Sequence, residues 1–181
     1  EDEDFWGIID IEGYVLFQSL ESIYIYNTAD ESFRVVDSDS RINKMFKVNE
    51  TIYFQNSKIG IFKIVNGKEG LVIASDRIQN REVINIYDFQ NALLFLTKAD
   101  GFYVYQNDEV KKWASNLDNS LSNRSIYSSA RLKDGSFVLG TISNGVIKLD
   151  TEGEILLKID QSYGLSNNTI LSIKEDNDGN I

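Results

Sequence analysis

The sequence predicts an all-β protein built from repeated four-stranded units, and three observations support this. Tyr, Phe, Ile and Val, which favour strands, recur along the whole chain. No long stretch has the 3.6-residue periodicity of an amphipathic helix. Glycine-containing apolar stretches also return at a nearly constant spacing: KIGIFKI, ADGFYVY and SNGVIKL place Gly60, Gly101 and Gly145 41 and 44 residues apart.

Each unit is predicted to contain four strands, taken in chain order. The first strands are FWGIIDI (5–11), INKMFKV (42–48), VINIYDF (83–89) and IYSSARL (126–132). The second strands are YVLFQ (14–18), TIYFQ (51–55), ALLFLT (92–97) and SFVLGT (136–141). The third strands are SIYIYN (22–27), which lacks the glycine, and the three glycine-containing stretches at 58–64, 99–105 and 143–149. The fourth strands are SFRVVD (32–37), GLVIAS (70–75), EVKKWAS (109–115) and EILLKID (154–160).

Turn residues lie between the first and second strands, where a hairpin needs them. They are Glu12-Gly13, Asp134-Gly135 and Asp178-Gly179, with the less specific pairs Asn49-Glu50 and Gln90-Asn91 at the same place in the other two units.

Four strands in about 37 to 44 residues is typical of a β-propeller blade. We therefore predict a single β-propeller fragment over residues 1–181, with four four-stranded antiparallel blades at about 5–41, 42–82, 83–125 and 126–169. ILSIKE at 170–175 is predicted to start a fifth blade, which argues for an arc of a larger ring. A parallel β-helix or a leucine-rich repeat would show other periods. Because an open arc exposes apolar blade faces, we also expect isolated arcs to associate, with a homodimer as one form.

Composition limits the function classes. The formal net charge of −10 makes direct contact with nucleic acid improbable for this segment. The absence of Cys and His excludes thiol chemistry, His-based triads and His metal ligands within it. We expect no cofactor and no enzymatic activity.

The last blade and a half carry a recognisable motif. GLSNNTILSIKEDNDGNI resembles the two-component regulator propeller repeat at Gly164, Leu165, Asn168, Ile170, Ile173, Glu175, Asp176, Asp178, Gly179 and Ile181. The preceding blade is similar, more loosely, at Leu121, Asn123, Ile126, Asp134, Gly135, Gly140-Thr141 and Asn144-Gly145. The earlier blades match in strand pattern and spacing.

The resemblance implies the sensor region of a bacterial transcriptional regulator, either a hybrid two-component system or a protein with a three-tyrosine domain. It implies a periplasmic location, a small-molecule ligand that is often a carbohydrate, and further blades and signalling domains in the same protein. A protein–protein interaction scaffold is the alternative function, and a propeller enzyme is a third.

The acidic run EDNDG invites comparison with a calcium loop. With Gly179 aligned to the loop glycine, Lys174 falls at the first ligand position, where a carboxylate is required. We therefore predict a hairpin turn with solvated carboxylates and no metal site.

Candidate ligand contacts lie next to the first strands. Arg41, Arg81 and Arg124 each precede a first strand, so they are expected at one rim of the propeller, where Arg suits recognition of carboxylates or sulfates. Pairing of each arginine with an acid of the adjacent blade is the other interpretation. Trp6, placed on a first strand, and Tyr163, in a loop, are the aromatic candidates for stacking on a sugar, whereas Trp113 is predicted to pack within the blades.

Overall fold

The computed structural model describes residues 3–113 and 125–181. The chain divides into two compact units, Glu1–Glu82 and Val83–Ile181, and each contains two four-stranded antiparallel sheets. In every sheet the strands lie in chain order and each pairs with the next. Such a four-stranded meander is the unit of a propeller blade.

The first unit holds blades 1 and 2. Blade 1 consists of β1 (Gly7–Ile11), β2 (Tyr14–Gln18), β3 (Ser22–Asn27) and β4 (Phe33–Asp37). Blade 2 consists of β5 (Ile42–Val48), β6 (Thr51–Asn56), β7 (Gly60–Val65) and β8 (Lys68–Ala74).

The second unit holds blades 3 and 4. Blade 3 consists of β9 (Val83–Phe89), β10 (Ala92–Thr97), β11 (Gly101–Gln106) and β12 (Glu109–Trp113). Blade 4 consists of β13 (Ile126–Arg131), β14 (Phe137–Thr141), β15 (Val146–Leu149) and β16 (Ile155–Ile159), and a turn of 3-10 helix, Gln161–Tyr163, follows it.

These strands confirm the predicted fold class, and the bounds differ by a few residues. β1 begins at Gly7, so Trp6 precedes the strand on which it was predicted. β7 begins at Gly60, because Lys58 and Ile59 belong to a turn. Their backbone N–H groups both donate to the Asn56 side-chain oxygen, at 2.9 Å each. A short polar side chain at the end of a second strand therefore shapes the turn that follows.

The predicted first strand of a fifth blade, residues 170–175, is not a strand in the structure. A strand needs a ladder partner, and none of the described strands pairs with this segment. The segment nevertheless lies against blade 4. The Ile170 N–H donates to the Thr141 carbonyl at 2.9 Å, and the Ser128 hydroxyl donates to the Ile170 carbonyl at 2.9 Å.

Blades 1 and 2 pack face to face. Because side chains alternate between the two faces of a sheet, one face of blade 1 carries the cross-strand row Ile9–Leu16–Ile25. We call this the back face of a blade. We call the other face of a blade its front face; in blade 2 it carries the row Met45–Phe54–Phe62. The back face of blade 1 and the front face of blade 2 share one buried apolar cluster.

Blades 3 and 4 repeat this arrangement inside the second unit. Phe102 on the back face of blade 3 lies 5.1 Å from Phe137 on the front face of blade 4, measured between ring centroids. Trp113 contacts both rings, at 5.4 and 5.8 Å, in edge-on geometries. The predicted packing role of Trp113 is thus what the structure shows, and burying such rings stabilises the pair of blades by about 1.5–3 kcal/mol each.

Candidate functional site

The predicted site residues that the structure describes share one place in the blade. In an antiparallel meander, the first strand begins at the end where the second strand finishes and the third begins. We call this the connection end, because the loops between blades also lie there. The opposite end, the hairpin end, carries the first-to-second and third-to-fourth turns.

Charge separates the two ends in the first unit. Its hairpin-end loops, 12–13, 28–32, 49–50 and 66–67, carry four acids and no cation. Its connection-end loops, 19–21, 38–41, 57–59 and 75–82, also carry four acids, but they add Arg41, Lys58, Arg77 and Arg81. The loop cations of this unit are therefore all at the connection end, where they offset the acids locally.

Arg41 is exposed, as are Lys58 and Arg77 of this set. It lies one residue before β5, and its carbonyl accepts a hydrogen bond from the Ser57 N–H at 3.1 Å. Among the described residues, its guanidinium has no hydrogen bond or ion pair. The alternative interpretation, pairing with an acid of the adjacent blade, is therefore not seen for Arg41 within this part of the chain.

Arg81 is held by an ordered loop. Its guanidinium donates to the Ile78 carbonyl at 3.1 Å, and its own carbonyl accepts from the Gln55 amide at 2.7 Å. Ile78 is fully buried and anchors the loop 75–82. The loop conformation therefore fixes the position of this guanidinium.

An arginine–acid pair between blades does occur, at another residue. Arg34 on β4 contacts the Glu69 carboxylate on β8, and it also donates to the Gly67 carbonyl. This contact lies toward the hairpin end of blades 1 and 2. The pairing with an acid of the adjacent blade, which was considered for the loop arginines, is therefore made by an arginine on a strand.

The aromatic candidates are both exposed. Trp6 is 68% exposed, and its backbone N–H donates to the Gln18 carbonyl at 2.8 Å. Its indole is therefore available for stacking at the connection end of blade 1. Arg124 lies outside the described residues.

Tyr163 is displayed on an ordered turn in the second unit. It is 74% exposed and ends the 3-10 helix that Asp160 caps by accepting from the Ser162 N–H at 2.8 Å. The same serine donates its hydroxyl to Asp160, and these hydrogen bonds hold the pKa of Asp160 below its usual value. The Asn168 side chain closes the loop by accepting from the Gln161 N–H at 2.8 Å.

The first strands of blades 2, 3 and 4 share a feature that sequence reasoning missed. The register of β5, β9 and β13 shifts near the first residues of each strand. Such bulges re-aim side chains at sheet edges and functional sites. In β13 the residue at the shift is Tyr127, which is 51% exposed at the connection end of blade 4. A bulge leaves no reliable mark in a single sequence.

Two buried amides were also missed, although the sequence carries their signal. Gln18 and Gln55 end the repeated stretches YVLFQ and TIYFQ, and they are 5% and 2% exposed. Gln18 donates to the Ile42 carbonyl at 3.1 Å and accepts from the Met45 N–H at 2.9 Å. It therefore joins blade 1 to the bulge of β5. A polar residue that recurs at one position of an apolar strand was the available clue.

Blades 3 and 4 are joined by a polar cluster in place of such an amide. The Tyr87 hydroxyl donates to the Ser129 hydroxyl at 2.7 Å, and Asn85 donates to the Tyr87 oxygen at 3.1 Å. Burial raises the pKa of Tyr87 to about 12. The phenol is thus neutral at physiological pH and acts here as a structural hydrogen-bond donor between first strands.

The acidic run near residue 176 forms the predicted turn. One carboxylate oxygen of Asp176 accepts from the N–H groups of Asp178 and Asn180, at 2.9 and 2.8 Å. The other oxygen accepts from the Asn180 side-chain amide at 2.9 Å, and these hydrogen bonds lower the pKa of Asp176. The carboxylate is thus engaged by its own turn. Within residues 3–113 and 125–181, no group of three or more Asp or Glu residues is arranged to hold a metal ion.

Comparison with known proteins places the fold. No family model matches the chain, and no curated protein matches it either. Among solved structures, it is similar to the extracellular domain of a B. thetaiotaomicron protein named as the hybrid two component system BT3049, with a TM-score of 0.76 and 19% identity. It is also similar to the extracellular domain of BT4673, a B. thetaiotaomicron protein named as a one component system, with a TM-score of 0.72 and 19% identity.

These alignments cover 98% and 97% of this chain and 25% of each solved chain, so the chain spans a quarter of their length. The β-propeller domain of Cps50 (Swd1) from Myceliophteria thermophila matches with a TM-score of 0.63 and 10% identity, over 98% of this chain and 63% of that domain. In the described ranges no helix is long and apolar enough to cross a membrane. The chain is therefore a four-blade β-propeller segment whose fold is shared with extracellular domains of Bacteroides signalling systems, the class of protein that its terminal motif resembles.

Proposed function

We propose that this chain is a non-catalytic, ligand-sensing propeller region of a bacterial signalling protein, located in the periplasm. We further propose that the connection end of its blades takes an anionic small molecule, such as a uronic acid or a sulfated sugar. The observation that carries the proposal is the charge asymmetry of the first unit, in which all four loop cations lie at that end. The similar solved structures are extracellular domains of signalling proteins, which supports the location and the class.

Electrostatics favour that end for an anion. The chain has a formal net charge of −10, so most of its surface repels anionic ligands. The exposed guanidinium of Arg41 offers forked donors for a carboxylate or sulfate, and Arg81 adds a positive charge at the same end. Trp6 supplies an exposed aromatic face at the same end of blade 1, suited to the apolar side of a sugar ring.

The chemistry of the residues supports a binding role. The chain contains no His and no Cys, the usual proton carriers and nucleophiles at neutral pH. Among the described residues, Tyr87 has a strongly raised pKa, but its hydroxyl is hydrogen-bonded to Ser129 between blades 3 and 4. Ligand binding would instead bias the arrangement of the propeller against the further blades and signalling domains of the same protein, which would produce the output.

The proposal is tested by isothermal titration calorimetry of the chain with an acidic trisaccharide, trigalacturonate, and with its neutral counterpart, galactotriose. We expect binding of the acidic sugar alone, weakening as salt rises. Arg41→Ala should weaken it three- to tenfold, the effect of about 0.7–1.4 kcal/mol. The matched control is Lys68→Ala, which removes an exposed cation at the hairpin end and should change nothing.

Equal losses in the two variants would show that only net charge matters and would contradict a site at the connection end. Failure of a panel of uronic and sulfated oligosaccharides to bind at millimolar concentration would contradict anion sensing by this segment.

A further inference from the structure

Asn56 is a buried amide between two connection-end loops of the first unit. It ends β6 and is 3% exposed. On one side lies the turn 57–59, whose Lys58 and Ile59 N–H groups both donate to the Asn56 side-chain oxygen at 2.9 Å. On the other side lies the loop 38–41, which joins blade 1 to blade 2. One side chain therefore contacts two loops that each carry an exposed cation.

The rest of the amide is used by the loop between the blades. The Asn56 side-chain N–H donates to the Ser38 hydroxyl at 2.5 Å, and the Ser40 hydroxyl donates to the Asn56 side-chain oxygen at 2.7 Å. Within the loop, the Ser38 hydroxyl donates to the Ser40 carbonyl at 2.5 Å and accepts from the Ser40 N–H at 3.2 Å. These three side chains form one hydrogen-bonded network that ends one residue before Arg41.

The other blades show that the turn itself does not need this amide. The equivalent residues of blades 3 and 4 are Thr97 and Thr141, each four residues before the glycine that opens or precedes the third strand. Each threonine hydroxyl accepts from the N–H three residues later, at 3.1 and 2.8 Å, and donates to the carbonyl of that glycine, at 2.9 and 3.0 Å. A threonine is therefore enough to shape the turn, and the additional contacts of Asn56 serve the loop 38–41.

The two loops bring Lys58 next to the loop of Arg41. The Ser57 N–H donates to the Arg41 carbonyl at 3.1 Å, so the two backbones are direct neighbours. The Lys58 ammonium donates to the carbonyl of Asp39, on the same loop as Arg41, at 3.4 Å. Lys58 was not among the predicted site residues, because the sequence does not show that these two loops meet.

The charges of these loops explain why one cation would not be enough. Asp39 is exposed on the loop 38–41, and its negative charge offsets the positive charge of Arg41. A single arginine would therefore leave this loop neutral toward an anion. Lys58 gives the two loops together a net positive charge.

We propose that Lys58 is a second cation that contacts the ligand of the connection end, and that Asn56 is the positioning residue that sets it beside Arg41. This inference rests on the proposed function, and it narrows the ligand to one with two neighbouring anionic groups, such as consecutive uronic acid residues. A ligand with one such group would leave one of the two cations without a partner. Holding the two loops together before binding reduces the conformational freedom that the ligand must remove.

Asn56→Thr tests the positioning role without any ligand, because blades 3 and 4 show that threonine preserves the turn. Amide hydrogen exchange followed by NMR should become at least about fivefold faster at Ser40, since the network that holds its N–H loses the amide. The Ile59 N–H, which residue 56 still caps, should keep its rate to within about twofold. Unchanged exchange at Ser40 would overturn the positioning role, whether or not a sugar binds.

Isothermal titration calorimetry with trigalacturonate tests the second cation. Lys58→Ala should weaken binding about three- to tenfold, as Arg41→Ala does. Lys63→Ala, which removes an exposed cation from the middle of β7, is the matched control and should not change it. Asn56→Thr should also weaken binding about three- to tenfold, but by less than about twofold when Lys58 is already alanine, because no pair of cations is then left to position.

The outcomes separate this inference from the proposed function. No binding of trigalacturonate by the unsubstituted chain would overturn the proposed function, and the ligand-contacting role of Lys58 with it. Intact binding that Lys58→Ala leaves unchanged would overturn this inference alone, and so would equal losses from Asn56→Thr with and without Lys58. Equal dissociation constants for trigalacturonate and for the monomer galacturonate would contradict the requirement for two neighbouring anionic groups.

Discussion

Gln18→Leu is the substitution that most directly probes how neighbouring blades are joined. Gln18 ends β2 and is 5% exposed. Its amide bridges to two backbone groups of β5, donating to the Ile42 carbonyl and accepting from the Met45 N–H. Both groups lie at the register shift of β5, where the ladder with β6 is interrupted. Leucine has nearly the same size but can satisfy neither group.

The magnitude follows from what is left unpaired. Ile42 and Met45 are 1% and 3% exposed, so water cannot readily replace the amide. A buried backbone group without a partner costs about 1–3 kcal/mol. Two such groups, offset by about 1 kcal/mol of improved apolar burial for leucine, predict a loss of about 1–5 kcal/mol in the free energy of unfolding.

The assay is equilibrium urea unfolding, followed by circular dichroism at 25 °C and pH 7. The matched control is Gln106→Leu, an exposed glutamine at the end of β11, which should change the free energy of unfolding by less than about 0.5 kcal/mol. Equal unfolding midpoints for the two variants would refute the reasoning, because they would show that the bulge of β5 finds other partners.

Two further predictions concern a turn and the junction of blades 3 and 4. Gly145→Ala should lower the free energy of unfolding in urea by about 2–4 kcal/mol, because φ is +71° and the new Cβ would lie 2.0 Å from the Ile159 carbonyl oxygen. Gly70→Ala is the control, because a Cβ at Gly70 would have no neighbour within 4 Å. Similar effects of the two substitutions would contradict the steric reasoning. Tyr87 has a folded-state pKa raised to about 12 against about 10 in the unfolded chain, so its contribution is complete below pH 10 and is lost as the pH rises toward 12, at up to about 1.4 kcal/mol per pH unit. The free energy of unfolding, measured from pH 9 to 12, should therefore fall less steeply with pH for Tyr87→Phe than for the unsubstituted chain. Identical slopes for the two proteins would show that Tyr87 is not buried as described.

The strands could be predicted from the sequence because side chains alternate between the two faces of a strand, so a strand with one buried face has apolar residues at every second position. Alternating apolar residues and hairpin turns predicted sixteen strands within a few residues of those in the described parts of the chain. The recurring glycine was also informative, since Gly60 and Gly145 hold positive φ where a Cβ would strike a neighbouring carbonyl. The segment at 170–175 forms no ladder in the described part of the chain, because strand formation depends on a partner and not on the alternation alone, so the fifth blade stays a prediction.

The candidate site was less accessible to sequence reasoning. Position before a first strand was enough to assign Arg41 and Arg81 to the connection end. The difference between an exposed guanidinium at Arg41 and one held by the Ile78 carbonyl at Arg81 depends on the loop conformation. Trp6 and Tyr163 were chosen for their residue type, and only the three-dimensional arrangement shows that both rings are exposed.

The sequence by itself determined the repeat, the order of the strands, the acidic character of the chain and the turn at Asp178-Gly179, because these follow from local preferences and composition. The tertiary structure decided which polar groups are buried between blades, where the first strands bulge, and which sheet face remains exposed. Those properties arise from contacts between residues 24 to 44 positions apart, such as Gln18 with Ile42 and Asn85 with Ser129. A local pattern cannot specify such contacts, because their free energy depends on how two separately formed sheets meet.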